Sequence, residues 1–139
     1  MILIEKTQKE DIPYIIDIEN KSFPNPWSPE QIISVMDKTF VAKEENAIKG
    51  FICVENVADE THILHMAVHP DSRRRGIAKK MILKAMEANS KKIYLEVRES
   101  NLEAQNLYKG FGFKVVSKRK NYYQDNNETA LIMEYLRYA

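Results

Sequence analysis

The chain of 139 residues has little of several features that mark particular protein classes. Its one cysteine, Cys53, excludes an internal disulfide and is typical of a reducing compartment, so we expect a cytoplasmic protein. Basic residues number 21 and acidic residues 20, so the net charge does not favour nucleic acid or an anionic membrane. No apolar run approaches the roughly 20 residues of a membrane span, and the N-terminus lacks the order of a signal peptide. We therefore expect no direct binding to nucleic acid and none to a membrane.

Glycine and proline are also scarce, at four and five residues, and there is no repeat, linker or low-complexity tract. Hydrophobic residues make up 44% of the chain, which is enough for one continuous core. We predict a single domain over residues 1–139. We expect no metal site, because His62 and His65 would point to opposite faces of a strand and Cys53 lies in an apolar run.

Helix-start signals and apolar periodicity predict a chain of mixed helices and strands. Capping boxes are predicted at Thr7–Glu10, Ser28–Gln31 and Ser100–Glu103. Apolar stripes are predicted in the first two helices, at Ile12, Ile15, Ile16 and Ile18, and at Ile32, Ile33 and Met36. Strands are predicted at residues 2–6, 40–43, 50–57, 61–68, 93–98, 115–120 and 130–136, with a turn at 46–49 and further helices at about 76–89 and 102–109. This order places the chain in the α/β (α+β) class.

A basic turn joins an apolar strand to a helix within residues 66–79. The strand alternates with His62, Leu64, Met66 and Val68 on one register, and Arg74, Arg75 and Gly76 come directly before the helix. The first amides of a helix lack an internal acceptor and its dipole end is positive, so a phosphate oxygen is a suitable ligand there. The spacing of a Walker loop or a dinucleotide fingerprint is missing. Taken alone, the arginines fit a solvated basic turn equally well.

A second strand follows that helix, so the two strands are expected to be parallel neighbours in a right-handed crossover. Ile93, Leu95 and Val97 would share one face of this strand, with Glu96 on the other. A carboxylate in the middle of a central strand is rarely buried without a partner. Glu96 is therefore either a general base in a cleft or half of an ion pair with Arg98 or Arg119.

Tyr108 faces inward on the helix predicted at residues 102–109. By spacing it belongs to an ordinary apolar stripe with Ala104, Leu107 and Phe111. A phenol has a reference pKa of about 10 and a thiol one of about 8.5, so a well-placed tyrosine can return a proton to a departing thiolate. That second role applies only where a thioester reacts, and both interpretations stay open.

The motifs together identify a family. The chain resembles the GNAT acyltransferases over essentially its full length, through Val68-His-Pro, Arg74-Arg-Gly-Ile-Ala78, Asn101 and Leu107-Tyr-Lys-Gly-Phe-Gly-Phe113. Within that family it is most similar to the ribosomal-protein-alanine N-acetyltransferases, through Phe23-Pro-Asn-Pro-Trp-Ser28, Leu95-Glu-Val-Arg-Glu-Ser-Asn101 and Arg119-Lys-Asn-Tyr-Tyr123. The resemblance implies the GNAT fold, a mixed and mostly antiparallel sheet with helices on both faces. A splayed parallel strand pair would hold acetyl-CoA.

The resemblance also implies site residues, with acetyl-CoA as co-substrate and no metal. Glu96 would accept the proton, directly or through water, and Tyr108 would donate one to the coenzyme A thiolate. The residues expected to bind the cofactor are Met66, Ala67, Val68, Arg73, Arg74, Arg75, Gly76, Ile77, Ala78, Lys79, Asn101 and Tyr108.

The implied acceptor is a protein N-terminus, that of a ribosomal protein, in a groove lined by Phe23, Pro24, Tyr122 and Tyr123. These four residues fit surface packing equally well. A peptide α-amine has a pKa of about 7.7 to 8.0, against about 10.4 for lysine, so a modest base frees it at neutral pH. The alternatives are acetylation of a small-molecule amine or of lysine, and a non-catalytic acyl-CoA or ribosome-binding module. A pure binder would need neither Glu96 nor Tyr108.

Overall fold

The computed structural model describes residues 1–137 of the chain. The strands are β1 Ile2–Lys6, β2 Thr39–Glu44, β3 Ala47–Val57, β4 Glu60–Val68, β5 Lys92–Arg98, β6 Lys114–Arg119 and β7 Ala130–Leu136. The helices are α1 Ile12–Ser22, α2 Pro29–Ser34, α3 Ile77–Met86 and α4 Leu102–Phe111. Every predicted strand and helix is therefore present, with most ends moved by one to three residues. No helix within residues 1–137 has the length and apolar character needed to cross a membrane.

The strands form a mixed sheet in the hydrogen-bonded order β1-β2-β3-β4-β5-β7-β6. The pairs β1–β2, β2–β3, β5–β7 and β6–β7 are antiparallel. Strands β4 and β5 are parallel, as the crossover predicts, with Glu60 opposite Lys92 and Ile63 opposite Leu95. Both strands continue past these pairs, β4 to Val68 and β5 to Arg98.

Two compact units make up the described residues. Unit 1 comprises Met1–Val54 and His65–Glu87, and unit 2 comprises Glu55–Leu64 and the chain from Ala88 onward. The single domain over residues 1–139 stays a prediction. In unit 1, a core of buried side chains from α1, α2, β2, β3 and β4 is joined by four partly buried residues: Ile16, Phe23, Trp27 and Met36. In unit 2, Ile93, Leu95 and Val97 are buried on one face of β5, which confirms the predicted alternation.

Helix starts were predicted correctly at one of three places. The Ser28 box is present, with the Gln31 N–H donating to Ser28 Oγ and the Ser28 N–H donating to Gln31 Oε1. The Thr7–Glu10 box is wrong, because the Gln8 N–H donates to the Asp11 carboxylate and the Thr7 hydroxyl to the Thr39 carbonyl. The Ser100–Glu103 box is wrong as well. The cap of α4 is Asn101, one residue later.

Three burial and turn predictions also need correction. Ile33 is 56% exposed, because α2 is only six residues long and buries Ile32 alone. The buried residues of β4 are Thr61, Ile63 and Ala67, which lie on the register opposite to the predicted one. The turn before β3 lies at Glu45 and Asn46, whose φ angles of 50° and 69° are left-handed, rather than at residues 46–49. Asparagine adopts this conformation more readily than most residues.

Candidate active site

The basic turn of unit 1 presents backbone amides at the start of α3. After β4 the chain forms a short 3₁₀ turn, and α3 follows with Gly76 as its N-cap. Arg74 and Gly76 both have left-handed backbones, with φ of 64° and 79°. Backbone turned this way directs successive N–H groups into an anion-binding concavity. Gly76 offers no side-chain acceptor, so the first amides of α3 are placed to bind an external anion.

The three arginines of this turn have different partners. Arg73 Nε donates to the Val68 carbonyl at 3.2 Å, which ties the turn back to β4. Arg75 is paired with Glu44 on β2, an interaction that lowers the pKa of Glu44 and raises that of Arg75. For Arg74 no side-chain partner is found among residues 1–137. The protein itself therefore provides the partner of Arg75, and Arg74 is the arginine available to an external anion.

The end of β4 is held close to its neighbour in unit 1. A Cβ atom at Gly50 of β3 would lie 2.9 Å from the Ala67 carbonyl oxygen, so only glycine fits there without displacing the strand. The His69 N–H donates to the Lys49 carbonyl at 2.8 Å just beyond. Met66, Ala67 and Val68, predicted to hold a thioester through main-chain groups, therefore lie on a strand segment whose backbone position is closely constrained.

The acceptor candidates of unit 1 lie between α1 and α2. Phe23 is partly buried and its ring stacks on His65, with centroids 4.5 Å apart. Pro24 is exposed. The Trp27 ring stacks on the same imidazole at 4.2 Å, and the backbone N–H of Trp27 donates to the carboxyl group of Glu19. His65, Glu19 and Trp27 were not among the predicted site residues.

In unit 2, Glu96 is the centre of a polar cluster at the hairpin formed by β6 and β7. Its side chain is 34% exposed. Arg119 Nη1 lies 3.6 Å from Glu96 Oε1, which realises one of the two predicted ion pairs. Interaction with Glu96 is the largest cause that raises the pKa of Tyr122, and the Arg119 guanidinium lies 5.6 Å from the centre of the Tyr122 ring. Glu96 and Tyr122, predicted separately as base and acceptor contact, thus both lie beside Arg119.

Arg98 has different partners and orders the loop that carries the tyrosines. Its guanidinium lies 4.0 Å above the Tyr123 ring and forms ion pairs with Asp125 and Glu128. The ring of Tyr123 meets that of Tyr122 edge-on, with centroids 5.2 Å apart. Burial, followed by the charge of Glu96, raises the pKa of Tyr123 to about 12.

The contribution of Glu128 to folding stability should depend on pH. Hydrogen bonds from Ser100, with a smaller contribution from Arg98, lower the pKa of Glu128 from 4.5 to about 2. A carboxyl whose pKa is depressed in the folded state contributes stability above its unfolded pKa, and that contribution is lost as pH falls through the folded pKa. We expect Glu128→Gln to be less stable than the parent chain at pH 7, and the difference to vanish between about pH 4.5 and pH 2.

Urea midpoints at pH 7, 4 and 2.5 measure this effect. Glu30→Gln, on the exposed first turn of α2, is the matched control. A gap between Glu128→Gln and the parent that stays constant down to pH 2.5 would contradict the assignment.

Tyr108 and Asn101 both belong to α4. Tyr108 is buried, as predicted, and its ring packs against Phe113 with centroids 5.9 Å apart. Burial raises the pKa of Tyr108 to about 12, with a smaller effect from Tyr123. Asn101 Oδ1 accepts the Ala104 N–H and so begins the helix. The amide nitrogen of Asn101 is the group that can serve a ligand as donor.

Comparison with known proteins identifies the chain. A family model described as the acetyltransferase (GNAT) family matches residues 12–113. The chain belongs to the GNAT family of acetyltransferases. It is 32% identical to the putative [ribosomal protein bS18]-alanine N-acetyltransferase of Bacillus subtilis (strain 168), over 94% of this chain and 92% of the relative. The resemblance predicted from the motifs is confirmed.

Solved structures support the same fold for this GNAT enzyme. The crystal structure of the ribosomal-protein-S18-alanine N-acetyltransferase from Escherichia coli matches with a TM-score of 0.89 and 28% identity, over 98% of this chain and 94% of that one. Arabidopsis thaliana NAA60 in complex with acetyl-CoA matches with a TM-score of 0.88 over 98% and 99% of the two chains. At 19% identity, that likeness shows the fold alone. The predicted GNAT fold, a mixed sheet with one parallel pair and flanking helices, is confirmed.

One of the residues that sequence reasoning missed in this GNAT chain carries a recognisable signal. Glu19 lies four residues after Ile15 and seven after Ile12, within the buried stripe of α1, where an acid is out of pattern. Its partner His65 is 46 residues away, so the sequence does not show the pair. Among residues 1–137 there is no group of three or more His, Cys, Asp or Glu side chains that could hold a metal ion.

Proposed function

We propose that this enzyme transfers the acetyl group of acetyl-CoA to the N-terminal α-amine of a protein, and that the acceptor is a ribosomal protein beginning with alanine. The observation that carries the proposal is the cluster around Arg119, whose guanidinium lies 3.6 Å from the candidate base Glu96 and 5.6 Å from the ring of Tyr122, a candidate acceptor residue. The likeness to ribosomal bS18-alanine N-acetyltransferases over nearly the whole chain supports the same acceptor.

The cofactor site proposed for acetyl-CoA is the segment from Met66 to Lys79. The left-handed turn and the first amides of α3 suit a pyrophosphate, and Arg74 adds a positive charge that has no protein partner among the described residues. A backbone N–H of Met66 to Val68 would stabilise the tetrahedral oxyanion that forms when the amine attacks. Asn101 and Tyr108 complete the proposed set.

The proposed chemistry is direct attack of the amine on the thioester. The N–C bond forms, the C–S bond breaks, and one proton leaves the amine. Glu96 is open to solvent, so it can take that proton through a bound water. The leaving thiolate would receive a hydrogen bond from the Tyr108 hydroxyl, which stays protonated at neutral pH because its pKa is about 12.

The test of this function is thiol release from acetyl-CoA with peptide acceptors. We expect release with peptides that begin with alanine, and none when the same peptides carry a blocked α-amine and a free internal lysine. Activity on lysine or on a small amine instead would overturn the assignment of the acceptor. Acetyl-CoA binding without turnover of any amine would favour the non-catalytic alternative.

Arg74→Ala should weaken acetyl-CoA binding about tenfold, because a charge-assisted bond to phosphate contributes roughly 1.5 to 3 kcal/mol. Arg75→Ala should have a smaller effect, since its guanidinium is paired with Glu44. Lys80→Ala is the control for loss of one positive charge on the same helix. Calorimetric titration with acetyl-CoA measures all three, and an equal loss in Arg74→Ala and Lys80→Ala would show a general charge effect.

A further inference from the structure

Glu19 is a buried acid in unit 1 that the proposed chemistry does not use. It is 0% exposed, on the face of α1 that also carries Ile12 and Ile15. Its carboxyl group lies 2.7 Å (Oε1) and 2.9 Å (Oε2) from His65 Nε2 and accepts the backbone N–H of Trp27 at 2.8 Å. A buried hydrogen-bonding group that loses its partner is costly. Glu19 therefore joins α1 both to β4 and to the segment before α2.

The imidazole of His65 is enclosed by aromatic rings. Phe23 stacks on it at 4.5 Å, and Trp27 stacks at 4.2 Å with an interplanar angle of only 13°. Phe51 adds a tilted contact at 5.9 Å. Glu19 also accepts the backbone N–H of Trp27, so a hydrogen on His65 Nε2 would complete the hydrogen bonds of this carboxyl group. Ring stacking and the bonds to Glu19 together define one orientation for His65.

The segment of residues 23–27 has little regular hydrogen bonding of its own. It runs from Phe23, the C-cap of α1, to the residue before Ser28, the N-cap of α2. Pro24 and Pro26 within it have no N–H to donate. The conformation of the segment therefore depends on the contacts of Phe23 and Trp27 with His65 and Glu19.

We propose that His65 is a positioning residue for the acceptor. Glu19, His65, Phe23 and Trp27 form what we call the His65 latch, which orders the segment of residues 23–27 for peptide binding. This role rests on the proposed function, which assigns Phe23 and Pro24 to the acceptor groove. Loss of the latch should raise the KM for the acceptor peptide while kcat and the affinity for acetyl-CoA change little.

Two substitutions separate the contacts of the latch. His65→Gln retains a side-chain donor for Glu19 and loses the stacked ring, whereas His65→Phe retains the ring and loses the donor. We expect either change to raise the acceptor KM about tenfold, the equivalent of roughly 1.4 kcal/mol of acceptor binding. We expect kcat and the acetyl-CoA Kd to stay within about twofold. His62→Gln, the same exchange on the same strand, is the control because His62 contacts Glu60 and Tyr94 instead.

Trp27 supplies a readout that does not depend on turnover. It is the only tryptophan of the chain, so intrinsic tryptophan fluorescence reports this segment alone. His65→Gln should shift the emission to longer wavelength as the unstacked indole meets water. Saturating acceptor peptide should reverse part of that shift, a response that general loosening of the fold would not give. The His62→Gln spectrum should match that of the parent.

The outcomes distinguish the latch from the function on which it rests. An acceptor KM unchanged in His65→Gln would overturn the latch, as would a lower kcat at constant KM or a parallel rise in the acetyl-CoA Kd. Should His65→Phe fail to fold, His65→Gln and the Trp27 spectra decide the question. A parent chain that acetylates no N-terminal peptide would refute the proposed function, and the acceptor role of the latch with it. An active parent with unaffected His65 variants would refute the latch alone.

Discussion

Glu96→Gln is expected to lower kcat for acetyl transfer by about 10² to 10³, the range typical for loss of a general base. Glutamine keeps the shape of the side chain and can still accept a hydrogen bond, but it cannot take the proton of the attacking amine. The affinity for acetyl-CoA should stay within about twofold. Steady-state thiol release with an alanine-starting peptide measures the rate, and calorimetry measures the affinity.

The pH dependence of the lower kcat in Glu96→Gln tests whether the loss of a general base causes it. The deficit in kcat should shrink above the α-amine pKa of about 7.7 to 8.0, because most of the acceptor is then already neutral. Glu60→Gln is the matched control, a carboxylate on β4 that contacts His62 and has no role in the proposed chemistry. If Glu96→Gln lowers the rate less than threefold at pH 7, Glu96 is not the general base and only forms the ion pair with Arg119.

Tyr108→Phe is expected to lower kcat by about 10-fold to 10²-fold, the value of one hydrogen bond to a charged group. The pKa of about 12 refines the predicted role of this tyrosine. Full proton transfer from such a phenol to a thiolate of pKa about 8.5 is uphill by about 5 kcal/mol. We therefore propose that Tyr108 would donate a hydrogen bond to the leaving thiolate, and that the thiolate would take its proton later from water.

Phenylalanine retains the ring that packs against Phe113, so the unfolding midpoint of Tyr108→Phe should stay close to that of the parent. Tyr94→Phe is the control, since the pKa of Tyr94 is also raised to about 12, chiefly by Glu134 on β7. Single-turnover rates with acetyl-CoA in excess isolate the chemical step. An unchanged single-turnover rate in Tyr108→Phe would show that Tyr108 packs in the core and takes no part in the reaction.

Sequence patterns predicted helices and strands correctly where the pattern involves only neighbouring residues. The period-2 alternation of β5 placed Ile93, Leu95 and Val97 on the buried face, and Ser28-Pro-Glu-Gln31 marked the start of α2 correctly. Two caps were displaced by one residue, to Gln8 and Asn101, because adjacent polar residues compete for the same amides. Ile33 was misassigned because six helical residues are too few for periodicity to define a face.

The sequence by itself determined the family, the order of strands and helices, and the basic turn before α3, because motifs and periodicity involve residues close together in the chain. Only the tertiary structure decided the partners of the charged groups. Arg75 is paired with Glu44, Glu96 with Arg119, and Glu19 with His65. Each of these pairs joins residues more than twenty positions apart, and a charge is stabilised by whichever opposite group the packed chain brings within a few ångströms. No local pattern specifies that distance, so these pairs, and the latch with them, emerged only from the folded molecule.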